Sequence, residues 1–187
     1  MTAIIDDPIE IRTPRLRLRP HVAEDLAARW ALGMMPEFYR YTSGQAATEE
    51  DSWHRVLRYI GHWTSFGYGF FAVLDATTGR FLGEAGAMDF RRGIGDGFGR
   101  RPEMGWGFHP DVHGTGVAGE AIRAVLAWMD AGAGQAGTVC MINPENVASV
   151  RLAERLGYRP TGEAVYHDRP VSTFARAAGA TFVAAPG

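Results

Sequence analysis

A glycine-rich turn between an apolar run and a helix-like segment is the feature of this chain that most constrains its fold. The run ends at Pro110, the turn contains Gly114, Gly116 and Gly119, and a segment rich in alanine follows. A turn of this kind at the start of a helix leaves several backbone N–H groups without intrahelical partners. With the positive end of the helix dipole, these groups bind phosphate, and glycine lets the phosphate approach closely. The sequence therefore predicts a phosphate-bearing ligand at the end of a strand.

The composition is that of an ordinary globular protein. With 187 residues, 46% of them hydrophobic, we expect one domain over residues 1–187, with a core of about 11–176 and a tail at 177–187. A net charge of -2 gives no indication of a nucleic-acid or membrane partner. No apolar run approaches the roughly 20 residues of a membrane span, and the N-terminus lacks a secretory pattern, so the cytoplasm is the expected location.

The single cysteine and the histidines suggest no metal or disulfide chemistry. Cys140 excludes an internal disulfide, fits a reducing compartment and is predicted to be buried in a strand. The six histidines show no metal-ligand spacing, so no metal site is expected.

Hydrophobic periodicity predicts the order strand, two helices, three strands, helix, strand, helix, two strands. The predicted strands are 11–18, 70–74, 81–88, 102–109, 138–142, 159–166 and 171–176, and the predicted helices are 23–32, one that begins at Thr48, 114–131 and 146–156. Asp51 completes a capping box with Thr48, Gly157 ends the last helix, and 90–101 is a loop. This mixture predicts an α+β domain with a mixed sheet.

Motifs in a fixed order make the chain resemble the GCN5-related N-acetyltransferase (GNAT) superfamily. Residues 113–118, His-Gly-Thr-Gly-Val-Ala, are similar to the signature Arg/Gln-x-x-Gly-x-Gly/Ala, with His113 in place of the Arg or Gln. Residues 143–158 are similar to the Asn-x-x-Ser and Leu-Gly-Phe/Tyr segment of the branch of ribosomal-protein N-terminal (Rim-type) acetyltransferases, as are 13–20 and 103–106. The resemblance implies a mostly antiparallel sheet of about seven strands, with the fourth and fifth splayed apart, and about four helices.

The resemblance implies acetyl-coenzyme A (acetyl-CoA) as cosubstrate. Its pyrophosphate is expected at the glycine turn, and its pantetheine arm along the edge of the strand before it. The expected cofactor-binding residues are Trp106, Gly107, Phe108, His113, Gly114, Thr115, Gly116, Val117, Ala118, Gly119 and Asn146. Gly105 and Gly107 would permit a bulge that splays the strands, or they simply relieve packing beneath a helix. Asn146 is also expected to cap its helix.

Two residues are the candidates for catalysis. Glu103 is expected to act as general base on the acceptor amine, or else to form an ordinary pair with a nearby arginine. Ser149 is expected to donate a hydrogen bond to the departing thiolate, or else to be an ordinary helix serine. Ala153 stands where many members of the family have a tyrosine acid.

The acceptor pocket is expected between the N-terminal helices and the last hairpin. Candidates to line it, most of which fit a core equally well, are Trp30, Trp53, His54, Trp63, Tyr166 and His167. The loop 91–101 is either a lid or a simple hairpin connection.

The predicted activity is transfer of an acetyl group from acetyl-CoA to a primary amine by direct attack. The amine belongs to a protein N-terminus or to a small molecule, and the resemblance also allows a homodimer. The alternative is a non-catalytic acyl-CoA-binding or regulatory module. A third reading, a nucleotide-binding protein, is disfavoured because the turn lacks the Gly-Lys-Ser/Thr of a P-loop.

Overall fold

The computed structural model describes residues 9–94, 98–132 and 136–182 of the chain. The strands are β1 (Ile11–Arg12), β2 (Leu16–Pro20), β3 (Phe70–Asp75), β4 (Phe81–Met88), β5 (Glu103–Phe108), β6 (Thr138–Ile142), β7 (Arg159–Tyr166) and β8 (Arg169–Arg176). The helices are α1 (Leu26–Gly33), α2 (Pro36–Tyr39), α3 (Glu49–Phe66), α4 (Val117–Asp130) and α5 (Val147–Arg155). Among the described helices, none is both long and apolar enough to cross a membrane.

The strands form one mixed sheet in the order β1-β2-β3-β4-β5-β6-β8-β7. Every neighbouring pair is antiparallel except β5 and β6, which are parallel and joined through α4. The predicted α+β class with a mostly antiparallel sheet is confirmed. The sheet has eight strands rather than about seven because the predicted strand 11–18 is broken at Pro14, where the Thr13 N–H donates to the Leu16 carbonyl across a turn.

Helix signals in the sequence are confirmed at α3 and α4. Thr48 Oγ1 accepts a hydrogen bond from the Asp51 N–H at 3.0 Å, and the Asp51 carboxylate accepts one from the Thr48 N–H at 3.0 Å. The apolar spacing of α4 places four residues on one face, all of them fully buried: Ile122, Val125, Leu126 and Met129. These two helices were predictable because caps and apolar spacing are local properties.

The buried face of α1 carries a charged side chain. The helix begins at Leu26, after a short 3₁₀ turn over Ala23–Asp25, and its buried side chains are Arg29 and Leu32. Leu26 and Trp30, an apolar pair four residues apart, are only half-buried. Local spacing does not indicate the burial of Arg29, because its partner Glu84 comes from the distant strand β4.

The apolar core divides between the two faces of the sheet. Adjacent residues of a strand point to opposite faces, so Phe71 packs into the larger cluster with α4 and Phe70 into a smaller one with Tyr59 of α3. Cys140 lies in the larger cluster as predicted, and burial raises the pKa of its thiol well above the ordinary value.

An ion pair fixes the C-terminal end of the described chain. The buried guanidinium of Arg176 donates to both carboxylate oxygens of Asp130 at 2.9 Å and to the carbonyls of Leu156 and Ala180. The Gly179 N–H donates to the same carboxylate at 3.0 Å. Within the expected tail 177–187, Gly179 and Ala180 are therefore tied to this ion pair, and 183–187 lie outside the described residues.

Replacing Arg176 by methionine should lower the free energy of unfolding by about 3 kcal/mol, because it leaves Asp130 and two carbonyls without their donor. Urea unfolding followed by circular dichroism measures this loss. Arg159→Met, on the exposed side of β7, is the matched control and should change the free energy of unfolding by less than about 0.5 kcal/mol. Equal effects of the two substitutions would contradict the role given to Arg176.

Candidate active site

A slot opens between the two parallel strands at the centre of the sheet. β5 and β6 share one register pair, Glu103 with Val139, beside a hydrogen bond of 3.0 Å from the Val139 N–H to the Pro102 carbonyl. Beyond this point the strands diverge, and within the described chain the β6-facing edge of β5 up to Phe108 has no strand partner. At about 3.3 Å per residue, this free edge is roughly 15 Å long. The predicted divergence of the fourth and fifth strands, which are β5 and β6 in the structure, is confirmed.

Packing explains the two glycines of β5. A Cβ atom at Gly107 would collide with the ring of Phe38, and one at Gly105 would lie 2.8 Å from the ring of Phe70. The β4–β5 register runs from Gly83–Phe108 to Met88–Glu103 without a shift. The divergence of β5 from β6 therefore involves no bulge in that ladder, and the glycines make room for aromatic rings instead.

The glycine turn presents the N-terminus of α4 at the open end of the slot. Gly114 and Gly116 have φ angles of 76° and 81°, a left-handed conformation that favours glycine. The helical hydrogen bond from the Glu120 N–H to the Gly116 carbonyl is 3.0 Å long. The N–H groups of Val117, Ala118 and Gly119 precede it in the first turn, where helices have no internal acceptors for them. The turn therefore has the geometry of an anion site.

Arg15, which precedes β2, contacts this turn although it is not among the site residues predicted from the sequence. Its Nε donates to Glu120 at 2.7 Å and its Nη1 donates to the Thr115 carbonyl at 3.0 Å, while 48% of its side chain stays exposed. Burial alone would raise the pKa of Glu120, but the hydrogen bonds from Thr13 and Arg15 lower it below the ordinary value. A Cβ at Gly116 would lie 3.5 Å from Arg15 Nη2, so the guanidinium lies beside this turn, in which His113 replaces the signature Arg or Gln. The only sequence signal that included Arg15 was the motif at residues 13–20, which is similar to the Rim-type branch.

His113 folds back on β5. Its Nε2 lies 3.1 Å from the Phe108 carbonyl, which can only accept, so Nε2 is the donor. The ring braces the connection between strand and turn. The neighbouring Thr115 hydroxyl donates to the Val112 carbonyl at 2.7 Å and tightens the same turn.

Trp106 and Ser149 meet across the slot, on the face of the sheet that carries α4. The indole Nε1 lies 3.4 Å from the Ser149 hydroxyl oxygen, although the residues are 43 positions apart. Ser149 is held in the first turn of α5, where its N–H donates to the Asn146 side chain at 3.2 Å. The expected N-cap role of Asn146 is confirmed by this bond. All three residues are candidates from the sequence, but no sequence pattern predicts the contact between Trp106 and Ser149.

Glu103 points to the opposite face of β5, toward α3. It is buried, and the Nε of Arg92 donates to its two carboxylate oxygens at 2.8 and 2.7 Å. Burial raises the pKa of the Glu103 carboxyl above its ordinary value, and Arg92 offsets part of the rise through its hydrogen bond and its positive charge. The pairing with an arginine, one of the two expectations for Glu103, is present.

Comparison with known proteins identifies the family. A family model described as an acetyltransferase (GNAT) domain matches residues 15–159. The chain belongs to the GNAT family. A protein from Bordetella pertussis assigned to the GNAT-family acetyltransferases is 32% identical, with a TM-score of 0.81 over 90% of this chain and 99% of that one.

Solved structures of Rim-type enzymes share the fold. The ribosomal-protein-S5-alanine acetyltransferase of Vibrio fischeri is 15% identical, with a TM-score of 0.72 over 91% of this chain and 97% of that one. RimL, a ribosomal L7/L12 α-N-protein acetyltransferase in complex with coenzyme A, is also 15% identical, with a TM-score of 0.71 over 92% of this chain and all of that one.

The geometry of this GNAT domain fits the acetyl-CoA that the family uses. Two left-handed glycines leave the N–H groups of α4 uncovered, and a Cβ at Gly114 would meet no atom within 4 Å, so the approach to the turn is open. The free edge of β5 offers backbone donors and acceptors to the amide groups of a pantetheine arm. Ala153 is fully buried in the core, so α5 presents no phenol at that position.

Of the six aromatic and histidine candidates for the acceptor pocket, Tyr166 contacts Arg92, the partner of Glu103, with its ring centre 4.7 Å from the guanidinium carbon. Trp63 is buried in the core and Trp30 donates to the Ala47 carbonyl, so both are structural. Trp53 and His54 are exposed on α3, and His167 lies in the β7–β8 turn. The loop 91–101 reaches the site through Arg92, and its residues 95–97 lie outside the described chain.

A buried polar cluster supports this face of the sheet. Arg29 Nε lies 3.0 Å from Glu84, and the Tyr59 hydroxyl donates to the same carboxylate at 3.0 Å. Loss of hydration, together with the charge of Glu84, raises the pKa of Tyr59 to about 12 and keeps it a donor. Arg29 also lies 5.1 Å over the ring of Phe38 that covers Gly107. The cluster thus fixes α1, α2 and α3 against β5, the strand that bears Glu103.

Proposed function

We propose that this GNAT domain transfers the acetyl group of acetyl-CoA to a primary amine by direct attack. The observation that carries the proposal is the free edge of β5, which leads from an anion-binding turn at one end to the carboxylate of Glu103 at the other. The base and the hydroxyl of Ser149 lie on opposite faces of the same strand. An amine can therefore approach from the α3 side while the cosubstrate lies on the α4 side.

The cosubstrate is held mainly by backbone groups in this proposal. The N–H groups of Val117, Ala118 and Gly119 bind the pyrophosphate, and Arg15 adds a positive charge beside them. The edge at Trp106–Phe108 pairs with the pantetheine arm, and Asn146 lines the other wall. When bound, acetyl-CoA supplies an acyl group activated as a thioester.

Glu103 removes the proton that blocks attack. A lysine-like amine has a pKa near ~10.4 and an α-amine near ~7.7–8, so either is largely protonated at neutral pH. A carboxylate whose pKa is raised by burial is a better base than an exposed one, because its proton affinity is closer to that of the amine. The proton passes from the amine nitrogen to a Glu103 oxygen, directly or through water.

Ser149 stabilises the departing sulfur. The indole N–H of Trp106 can only donate, so the Ser149 oxygen is the acceptor in their contact and its own hydroxyl proton is free to point elsewhere. That proton forms a hydrogen bond to the sulfur. A thiolate is only a moderate base, since the pKa of its conjugate thiol is ~8.5 for an unperturbed cysteine, so a hydrogen bond suffices and a tyrosine acid is not required.

The second candidate is a non-catalytic acyl-CoA-binding module. The pairing of Arg92 with Glu103 favours it, because an arginine that holds the carboxylate lowers its basicity. Titration calorimetry with acetyl-CoA, with NAD and ATP as controls, tests the binding that both candidates share. Thiol release over a panel of amines then separates them, since only the enzyme frees coenzyme A.

Gly116→Asp should reduce acetyl-CoA affinity far more than Gly116→Asn. The two side chains have nearly the same size and both tolerate left-handed backbone, so they differ mainly in charge. An aspartate beside the pyrophosphate repels it, and we expect at least about tenfold weaker binding than for the asparagine variant, as measured by calorimetry. Equal affinities of two folded variants would rule out a phosphate at this turn.

Glu103→Gln should lower kcat by about 100-fold or more at neutral pH. In the wild type, activity should fall as the pH drops through the raised pKa of Glu103, above the ~4.3 of an ordinary glutamate, because only the ionised carboxylate accepts a proton. This acidic limb of the pH–activity profile lies at lower pH than the limb caused by the acceptor amine, and it should be absent in the variant. Glu154→Gln, an exposed position on α5, is the control and should keep both limbs. A wild-type profile retained by Glu103→Gln would exclude Glu103 as the base.

Ser149→Ala should lower kcat by about tenfold with little change in acetyl-CoA affinity, because one hydrogen bond to the sulfur is lost. Ser149→Thr keeps the hydroxyl and should recover most of the rate. Steady-state kinetics with calorimetry measures both quantities. If the alanine variant turned over as fast as the wild type, Ser149 would be structural and water would serve the sulfur.

A further inference from the structure

The guanidinium of Arg92 is fixed in place but has unused donors. Its Nε is bound to Glu103, and 17% of the side chain is exposed. Its Cζ atom lies 4.1 Å from the ring centre of Phe90 and 4.7 Å from that of Tyr166. An arginine has five N–H donors, and four belong to Nη1 and Nη2. Within the described part of the chain, these two nitrogens donate to no protein acceptor. They form a preoriented fork that matches a carboxylate.

Positive charge accumulates around this fork. The guanidinium of Arg58 lies 6.0 Å from the ring centre of Phe90, and loss of hydration followed by the charges of Arg55 and Arg92 lowers its pKa. The carboxylates on this side already have partners, since Glu84 is bound by Tyr59 and Arg29 and Glu103 by Arg92 itself. An anion that enters here would find an excess of guanidinium groups.

The space beside Arg92 is bounded by a connection between the β7–β8 hairpin and the segment after α2, which we call the strap. Tyr166 is the cross-strand partner of Arg169, whose Nη1 donates to the Thr42 carbonyl at 2.8 Å and whose Nη2 donates to the Arg40 carbonyl at 3.1 Å. These bonds join the β7–β8 hairpin to the segment after α2. The strap is thus separated from Arg92 only by the cross-strand pair of Tyr166 and Arg169. A boundary this near favours a small acceptor over the extended N-terminus of a folded protein.

We infer that Arg92 is an anion subsite next to the base, and that the acceptor is a small amine bearing a carboxylate one or two carbon atoms from its nitrogen. The inference rests on the proposed function, because it takes Glu103 as the group that receives the amine proton. Arg92 and Glu103 are in contact, so a molecule that engages both must carry its anion and its amine close together. An α-amino acid meets this condition, whereas a peptide N-terminus has an uncharged carbonyl at that place.

Binding of product-like ligands tests the inference without requiring turnover. N-acetyl amino acids with small, aliphatic, aromatic and polar side chains, each paired with its N-acetyl amide, are titrated by calorimetry into protein saturated with coenzyme A. At least one acid should bind about tenfold or more tightly than its amide, because the fork recognises the charged planar group. If every acid binds like its amide, or if no acid binds while coenzyme A does, the inference is wrong and the proposed function still stands. Failure of coenzyme A itself to bind would instead remove the proposed function and the inference with it.

Arg92→Gln should bring the acid and amide affinities within about twofold of each other. Arg91→Gln removes the same charge one residue away, where the side chain is exposed and paired with Asp89, and it should keep the preference. A loss of preference in both variants would indicate general charge attraction and overturn the subsite. Arg92→Lys keeps the charge without the planar fork, so it should lose most of the preference even if the glutamine variant fails to fold.

Discussion

The single register pair between β5 and β6 is the constraint on which the rest of this site depends. Two parallel strands joined through a helix need not stay paired along their length, and here contact ends at Glu103 and Val139. The divergence uncovers one edge of β5 in the middle of the sheet, where every backbone group would otherwise be paired. It also separates α4 from α5, so the turn and the Ser149 hydroxyl face the same gap. A ligand with amide groups and a phosphate end matches this gap along its whole length.

The opposite face of β5 depends on buried charge. Arg29 and Glu84 are both nearly inaccessible to solvent, with Arg29 over the ring of Phe38 and Glu84 accepting a hydrogen bond from the Tyr59 hydroxyl. Such a pair adds little net stability, because the cost of removing two charges from water offsets their attraction. It does restrict how α1 and α3 can lie on the sheet, since any other arrangement would leave one charge alone. We regard this cluster as the element that keeps α1 and α3 in register with Glu103, the proposed base.

The parts of the fold that the sequence could predict are those specified by neighbouring residues. The capping box at Thr48, the buried stripe of α4 and the left-handed glycines of the turn follow from local spacing, and each is present. The contacts that complete the site are between distant residues, as with Trp106 and Ser149 or Arg15 and Thr115, and no local pattern encodes them. The burial of Arg29 in α1 was not predictable for the same reason. The contact of Arg92 with Glu103 was hidden because a loop rich in glycine and arginine has no periodicity to indicate which side chain turns inward.

The balance of forces on Glu103 suggests how acceptor binding and base strength are coupled. In the free protein, burial makes the carboxylate more basic while Arg92 makes it less so. An anion bound to the outer donors of Arg92 would share the positive charge that Glu103 now holds alone, which weakens that hold and raises the proton affinity of the carboxylate. The base would then be strongest when a carboxylate-bearing amine is in place. A neutral amine would leave the ion pair undisturbed, so the same arginine would favour one acceptor class in binding and again in proton transfer.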